Sequence, residues 1–415
     1  FKFWLSKTGI LHNQWIKKIK ISSDDAQATI VGKFNILRLP ESVQYFMQRY
    51  FPTYIPAPKN TPANQQFSID IKTNYLEPYI RLFNKDVTGF NNLSINGDIN
   101  TDKQSIVLNG KIPFASFKYN WANYAIKDGL IIGTGNIDSL KLAISANQFN
   151  LTDSLNFQKT SLKINTSRDI SQFNFEATSE SAIQRAEFKG TIQTYSDGLS
   201  INWQPSYFIL NHKRWDIEQK GALSIRESNT SATNFRLTQG IQEMIMTSAQ
   251  NQKNGLQLEL KNIILGDFTK LLFPYPRLEG ITNGKVQMSN ILKDFEMKAN
   301  LQLAQFAFNN DSIGLANIKT AYQHSKGMVP FDLSFPNTEY NLTANGTYNL
   351  KDSLNPLDAT LYLNHSKFSL IQQFIGNVLT NLEGRANGSI HFGGKIDHPY
   401  FCLLYTLTLP TTPYV

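Results

Sequence analysis

Leu256-Gln257-Leu258-Glu259-Leu260 alternates apolar and polar residues without a break. In a strand, successive side chains point to opposite faces, so this stretch builds one greasy face and one wet face. The same pattern appears at Phe67-Ser68-Ile69-Asp70-Ile71, Leu301-Gln302-Leu303 and Leu361-Tyr362-Leu363, and in shorter form at Phe173-Asn174-Phe175 and Leu223-Ser224-Ile225. Between these runs fall Asn96-Gly97, Asn109-Gly110, Asp128-Gly129, Asp197-Gly198, Asn254-Gly255 and Asn345-Gly346. Such pairs predict tight turns, and hence many short antiparallel strands.

Helical patterns are few. Glu41–Tyr50 spaces Val43, Phe46, Met47 and Tyr50 at helical intervals, with Pro40 at its start. Tyr75–Phe83 is a weaker candidate. Phe268, Leu271 and Leu272 mark another, stopped by Pro274 and Pro276, and Ser366–Leu379 is the longest. All four read first as packing elements against a sheet. A Pro-rich connector between Ile55 and Gln66 divides an N-terminal part, 1–66, from a continuous β-region, 67–415.

One phrase occurs twice. Leu278-Glu279-Gly280-Ile281-Thr282-Asn283-Gly284 returns as Leu382-Glu383-Gly384-Arg385-Ala386-Asn387-Gly388. A repeat implies one structural unit built more than once. Gly280, Gly284, Gly384 and Gly388 are expected to serve a close turn where a short helix hands over to the sheet.

The helices are too few to cover the apolar face of so many strands. At one strand per ~12 residues the chain makes on the order of 30, a ribbon roughly 150 Å long at strand spacing. Exposed apolar faces of that size are rare unless they bind something. The expectation is a mostly β fold: a long, curled, antiparallel-rich sheet, groove-like or solenoid-like, with a few short amphipathic helices. Separate sandwiches are the simpler alternative. Leu256, Leu258, Leu260, Leu301, Leu303, Leu361 and Leu363 are the candidate groove lining, and sheet core is the equal alternative for each.

Composition excludes several classes. Charged residues make up 17% of the 415, and a formal charge of +8 is spread thinly, with Lys17, Lys18, Lys20, Lys213 and Arg214 the densest spots. Nucleic-acid binders concentrate their charge, so none is expected as partner. The single cysteine, Cys402, offers neither an intramolecular disulfide nor a thiolate metal site. His12, His212, His324, His365, His391 and His398 are scattered, so no metal or cofactor is expected. Gly133-Thr134-Gly135 lacks a nucleotide-binding frame, Asp24-Asp25 reads as a solvated turn, and no catalytic signature occurs, so no enzyme is expected. No run of about 18 apolar residues occurs, and Phe1-Lys2-Phe3 is no signal peptide, which reads as a piece of a longer protein.

Three stretches carry a family resemblance: Leu37-Arg38-Leu39-Pro40 through Tyr50-Phe51-Pro52; Asn211 through Ile217 with Asn234-Phe235-Arg236-Leu237 and Gly240; and Leu361-Tyr362-Leu363 through Leu382-Glu383-Gly384, Gly388–Gly394 and His398-Pro399. The pattern of short amphipathic helix, Leu-x-Gly-x-x-x-Gly and alternating strands resembles the TamB family of translocation and assembly modules, among AsmA-like envelope proteins, in its Asn- and Lys-rich Bacteroidetes form. The resemblance implies a sheet folded like a taco around a hydrophobic groove, in the periplasm of a Gram-negative cell. It also implies an inner-membrane anchor outside this chain. The implied function is phospholipid movement between inner and outer membranes, with acyl chains as the bound partner. The alternative is scaffolding of outer-membrane barrel assembly with an Omp85-type partner. The tail from Phe401 departs from the family pattern.

Overall fold

The computed structural model describes residues 2–11, 14–119, 122–152, 155–180, 182–227, 229–250, 254–272, 277–309, 311–337, 339–367, 384–395 and 398–403. The protein is mostly β, with 67% of the described residues in strands and 8% in helices. The chain divides into two compact units, Phe1–Ala222 and Leu223–Val415.

In the first unit the strands begin β1 (Lys2–Leu11), β2 (Gln14–Ser22), β3 (Ala26–Lys33), β4 (Gln66–Thr73), β5 (Val87–Gly89), β6 (Ser94–Asn100) and β7 (Ser105–Tyr119). They continue as β8 (Ala122–Asn136), β9 (Leu140–Thr152), β10 (Leu155–Ser167), β11 (Ile170–Thr178) and β12 (Ile183–Tyr195). The unit ends with β13 (Gly198–Trp203), β14 (Ser206–Leu210) and β15 (Lys213–Ile217). Neighbours pair antiparallel, and two long strands fork. β7 pairs β6 over one half and β5 over the other. β12 likewise holds β13 and β14 end to end.

Register gathers one apolar row across these strands: Ile19, Ile30, Ile69, Gly97, Leu108, Gly133, Leu142, Ile164 and Phe173 lie opposite one another in turn. α1 (Leu39–Tyr50) packs on this face. Phe46 and Tyr50 are both 0% exposed, each worth about 2–3 kcal/mol of burial. Val43 faces outward instead, because Ser42 takes the inner position and donates its hydroxyl to the Arg38 carbonyl at 2.9 Å. Gly135 makes room for Tyr50: a Cβ there would lie 2.6 Å from the phenol oxygen. That hydroxyl donates to the Asn136 carbonyl at 2.6 Å, and burial pushes its pKa up to about 12. Beyond α1, the buried Asp169 carboxylate accepts the Thr53 hydroxyl at 2.7 Å and its N–H at 3.2 Å. α2 (Glu77–Phe83) is the shorter version of the second predicted helix.

The second unit is a plain meander from its third strand onward. It contains β16 (Ala222–Arg226), β17 (Ser231–Thr233), β18 (Phe235–Gln239), β19 (Gln242–Ser248), β20 (Gly255–Ile264), β21 (Leu278–Ser289), β22 (Glu296–Phe308) and β23 (Asp311–Gln323). After these come β24 (Met328–Phe335), β25 (Leu342–Asn349), β26 (Leu357–Lys367), β27 (Arg385–Lys395) and β28 (His398–Leu403). From β18 to β28 each strand pairs antiparallel with the next. The sheet does not close into a barrel. α3 (Leu265–Leu272) follows β20 directly and packs on β21.

Several sequence expectations change here. Asn96-Gly97, Asn109-Gly110, Asp128-Gly129 and Asn345-Gly346 lie inside strands rather than at turns. At Gly97 and Gly346 the reason is close backbone approach, since an added Cβ would lie 2.6 Å from the Val107 carbonyl oxygen and 2.5 Å from that of Asp358. The Pro-rich segment joins strands that pair with each other, β3 and β4. Ser366 and Lys367 belong to β26; the rest of the predicted helix, with Leu382 and Glu383, lies outside the described residues.

Candidate functional site

The doubled phrase anchors the second unit in a way its turn-like spelling hides. Gly280 and Gly284 lie within β21 and Gly388 within β27, while Gly384 immediately precedes β27. Gly280, Gly284 and Gly388 thus sit inside strands rather than at a helix-to-sheet turn, and the residues before Gly384 lie outside the described ones. All four have φ between +105° and +148°, a conformation that favours glycine.

Each phrase faces a β-bulge on the preceding strand. Register shifts between Leu260 and Ile263 on β20, and between Leu363 and Ser366 on β26. The extra residues Asn262 and His365 adopt φ of 54° and 51°. Their N–H groups, which leave the ladder, donate to the side-chain carbonyls of Asn283 at 2.9 Å and Asn387 at 2.7 Å. The Asn-Gly of the phrase is therefore a bulge anchor: glycine opposes the strand and asparagine takes the orphaned donor.

A third bulge decides the groove. On β22 register shifts between Leu303 and Phe306, with Gln305 at φ 53°. Strict alternation would send Leu303 and Phe306 to opposite faces. The added residue turns both inward, and both are buried.

Against this backbone the inner face of β20 to β27 forms a row. Leu260, Gly284, Leu301, Ile318, Leu333, Ala344, Leu361 and Ile390 lie opposite one another in turn. Beside it a groove of about 440 Å³ opens, within the range of ligand pockets. Leu301, Leu303 and Leu361 line it with Phe306, Phe331, Phe335 and Phe392, and Leu265 of α3 borders it. Among the described residues no charged residue lines it, and Thr282 and Thr360 are the polar ones. The buried Thr282 hydroxyl has no hydrogen-bond partner among the described residues. A lining of this kind removes apolar surface from water.

The seven predicted leucines divide. All share the inner face by register, but only Leu301, Leu303 and Leu361 line the groove. Leu363 is buried in the core beneath it with Phe335 and Leu342. Leu256 is buried opposite Met288, away from the groove, and Leu258 and Leu260 continue the face on β20 without lining it. Phe306 escaped sequence reading because the bulge at Gln305 breaks its parity, whereas Phe331-Asp332-Leu333-Ser334-Phe335 carries the alternation plainly.

Among the described residues no group of three His, Cys, Asp or Glu side chains could hold a metal ion. No helix among them is long and apolar enough to cross a membrane. His391 approaches Asp358 at 3.7 Å as a solvent-facing pair. No family model matches the chain, and no curated protein or solved structure is significantly similar to it.

Proposed function

We propose that the protein is a lipid carrier of the bacterial periplasm, which moves phospholipid between inner and outer membranes by holding acyl chains in a hydrophobic groove. The observation that carries this reading is the groove of the second unit, lined by aliphatic and phenylalanine side chains with no charge among them. Burial of a chain at ~25 cal/mol per Å² gives affinity without head-group recognition, as transport of mixed phospholipid requires. The open sheet supports it too, because a closed barrel would enclose its ligand.

The test is site-specific photocrosslinking. A photoreactive residue at Leu361, half-buried at the groove wall, is expected to capture phospholipid in cells, and one at exposed Leu350 is not. Equal capture at both positions, or capture of an Omp85-type barrel protein in place of lipid at Leu361, rejects the carrier reading. The latter result supports the scaffold.

A further inference from the structure

One end of the first unit carries a surface that the groove leaves unused. Residues 81–86, at the end of α2 and the turn into β5, are all exposed. Within them Leu82 is 81% and Phe83 91% exposed. Nearby on β7, Phe117 is 49% exposed and stacks on Tyr124 of β8 with ring centroids 4.8 Å apart.

Two bare apolar side chains would mean little on a loose tail, but this segment is pinned at both ends. The Asn91 side-chain carbonyl accepts the N–H groups of Leu76 and Glu77 at 2.8 and 3.0 Å, capping α2. The Glu77 carboxylate accepts the Gly89 N–H at 3.2 Å, tying the helix to β5. After Phe83, the Asn84 N–H donates to the Ile80 carbonyl at 2.9 Å, and the Asn84 side-chain carbonyl accepts the Asp86 N–H at 2.9 Å. The Lys118 N–H then donates to the Asp86 carbonyl, and Val87 lies opposite Phe117. The backbone thus holds Leu82 and Phe83 in water beside the Phe117 pair, an arrangement with a hydrophobic cost that a binding surface recovers.

Charge identifies the partner. Arg81, Lys85 and Lys118 are exposed around these side chains. Glu77 is engaged by Gly89 and, at 3.7 Å, by Arg81; Asp25 accepts the Tyr79 hydroxyl of α2 at 2.6 Å; and Asp86 is the one carboxylate among residues 81–86. Among the described residues Lys85 and Lys118 make no ion pair. Before residue 223 lie 25 of the 40 Lys and Arg but only 18 of the 32 Asp and Glu, so this unit holds nearly all of the chain's positive excess. Large apolar side chains flanked by long cationic ones match a bilayer interface, where the first enter the acyl boundary and the second reach phosphates.

We propose that this tip docks the protein on a phospholipid bilayer, with Leu82 and Phe83 entering the headgroup region and Lys85 and Lys118 meeting lipid phosphates. The site is separate from the groove and stands whether or not the groove carries lipid.

Flotation of the full chain with phosphatidylcholine–phosphatidylglycerol vesicles tests it. The parent is expected to float, and amides of residues 76–90 are expected to gain protection from hydrogen exchange on binding. The Leu82→Ser/Phe83→Ser double variant is expected to partition at least about tenfold more weakly. Lys85→Glu/Lys118→Glu is expected to lose binding on vesicles with phosphatidylglycerol and much less on pure phosphatidylcholine. Leu361→Asp, in the groove, is expected to float like the parent, which separates docking from lipid loading. Equal flotation of the double serine variant, unchanged exchange at residues 76–90, or no flotation of the parent overturns the proposal. Self-association of the parent that the serine variant abolishes, with flotation unaffected, overturns it too and assigns the tip to a protein contact.

Discussion

Replacing Gly284 by alanine tests the architecture at the point where backbone and groove meet. Gly284 has φ of +148°, and an added Cβ would lie 2.3 Å from the Asn300 carbonyl oxygen and 2.8 Å from the Cα of Leu301. Both obstacles are backbone, so no side-chain rotation relieves them. Backbone strain of this kind costs about 1–3 kcal/mol, and forcing neighbours apart about 1–3 kcal/mol more. The expected loss is about 2–6 kcal/mol, centred on β21 and β22. Gly110 supplies the control, because its nearest neighbour would be the Ile131 Cβ at 3.6 Å, an ordinary contact. Gly110→Ala should change stability by less than ~1 kcal/mol, in the stabilising direction. Two compact units make a single unfolding free energy ill-defined, so hydrogen exchange resolved by strand is the assay. Gly284→Ala should speed exchange in Glu296–Phe308 and leave β7 unchanged. A Gly284→Ala protein whose β22 exchanges like the parent's would refute the close-approach reasoning.

Other predictions follow from individual contacts. Asn283→Ala and Asn387→Ala should each cost about 1–2 kcal/mol, read as faster exchange at Asn262 and His365, since each orphans a bulge N–H. Asp169→Ala should loosen the chain after α1 by about 1–3 kcal/mol, seen as protease cleavage near Thr53. Burial raises the Tyr50 pKa to about 12 from the ordinary 10, so the neutral phenol is favoured by the fold. Its contribution is intact below pH 10 and falls away as pH rises to 12, up to about 2–3 kcal/mol, and Tyr50→Phe should flatten that part of an alkaline unfolding curve.

Much of the sheet was legible because alternation is a local signal. Leu256–Leu260, Phe67–Ile71 and Leu361–Leu363 all lie in strands, and Glu41–Tyr50 lies within a helix. What local pattern could not supply was the backbone's departures from period two. The bulges at Asn262, Gln305 and His365 shift parity, so counting from Leu303 misplaces Phe306 by one face. Asn-Gly pairs spell a turn, yet Gly97 and Gly346 answer to a partner strand that no short window contains. The doubled phrase was visible as a repeat, but its purpose depends on Asn262 and His365, each about 20 residues upstream. Likewise, the groove's division among the seven leucines follows from register and from α3, not from hydrophobicity, which is the same in all seven.

The central claim is that the second unit's groove holds an acyl chain. Native mass spectrometry of the protein purified without detergent tests this directly. A bound species of phospholipid mass, identified by lipid extraction, is expected; Leu361→Asp removes it, while Leu258→Asp, on the same face but outside the groove, largely retains it. A protein that carries no lipid, or lipid that survives Leu361→Asp in a folded protein, would contradict it.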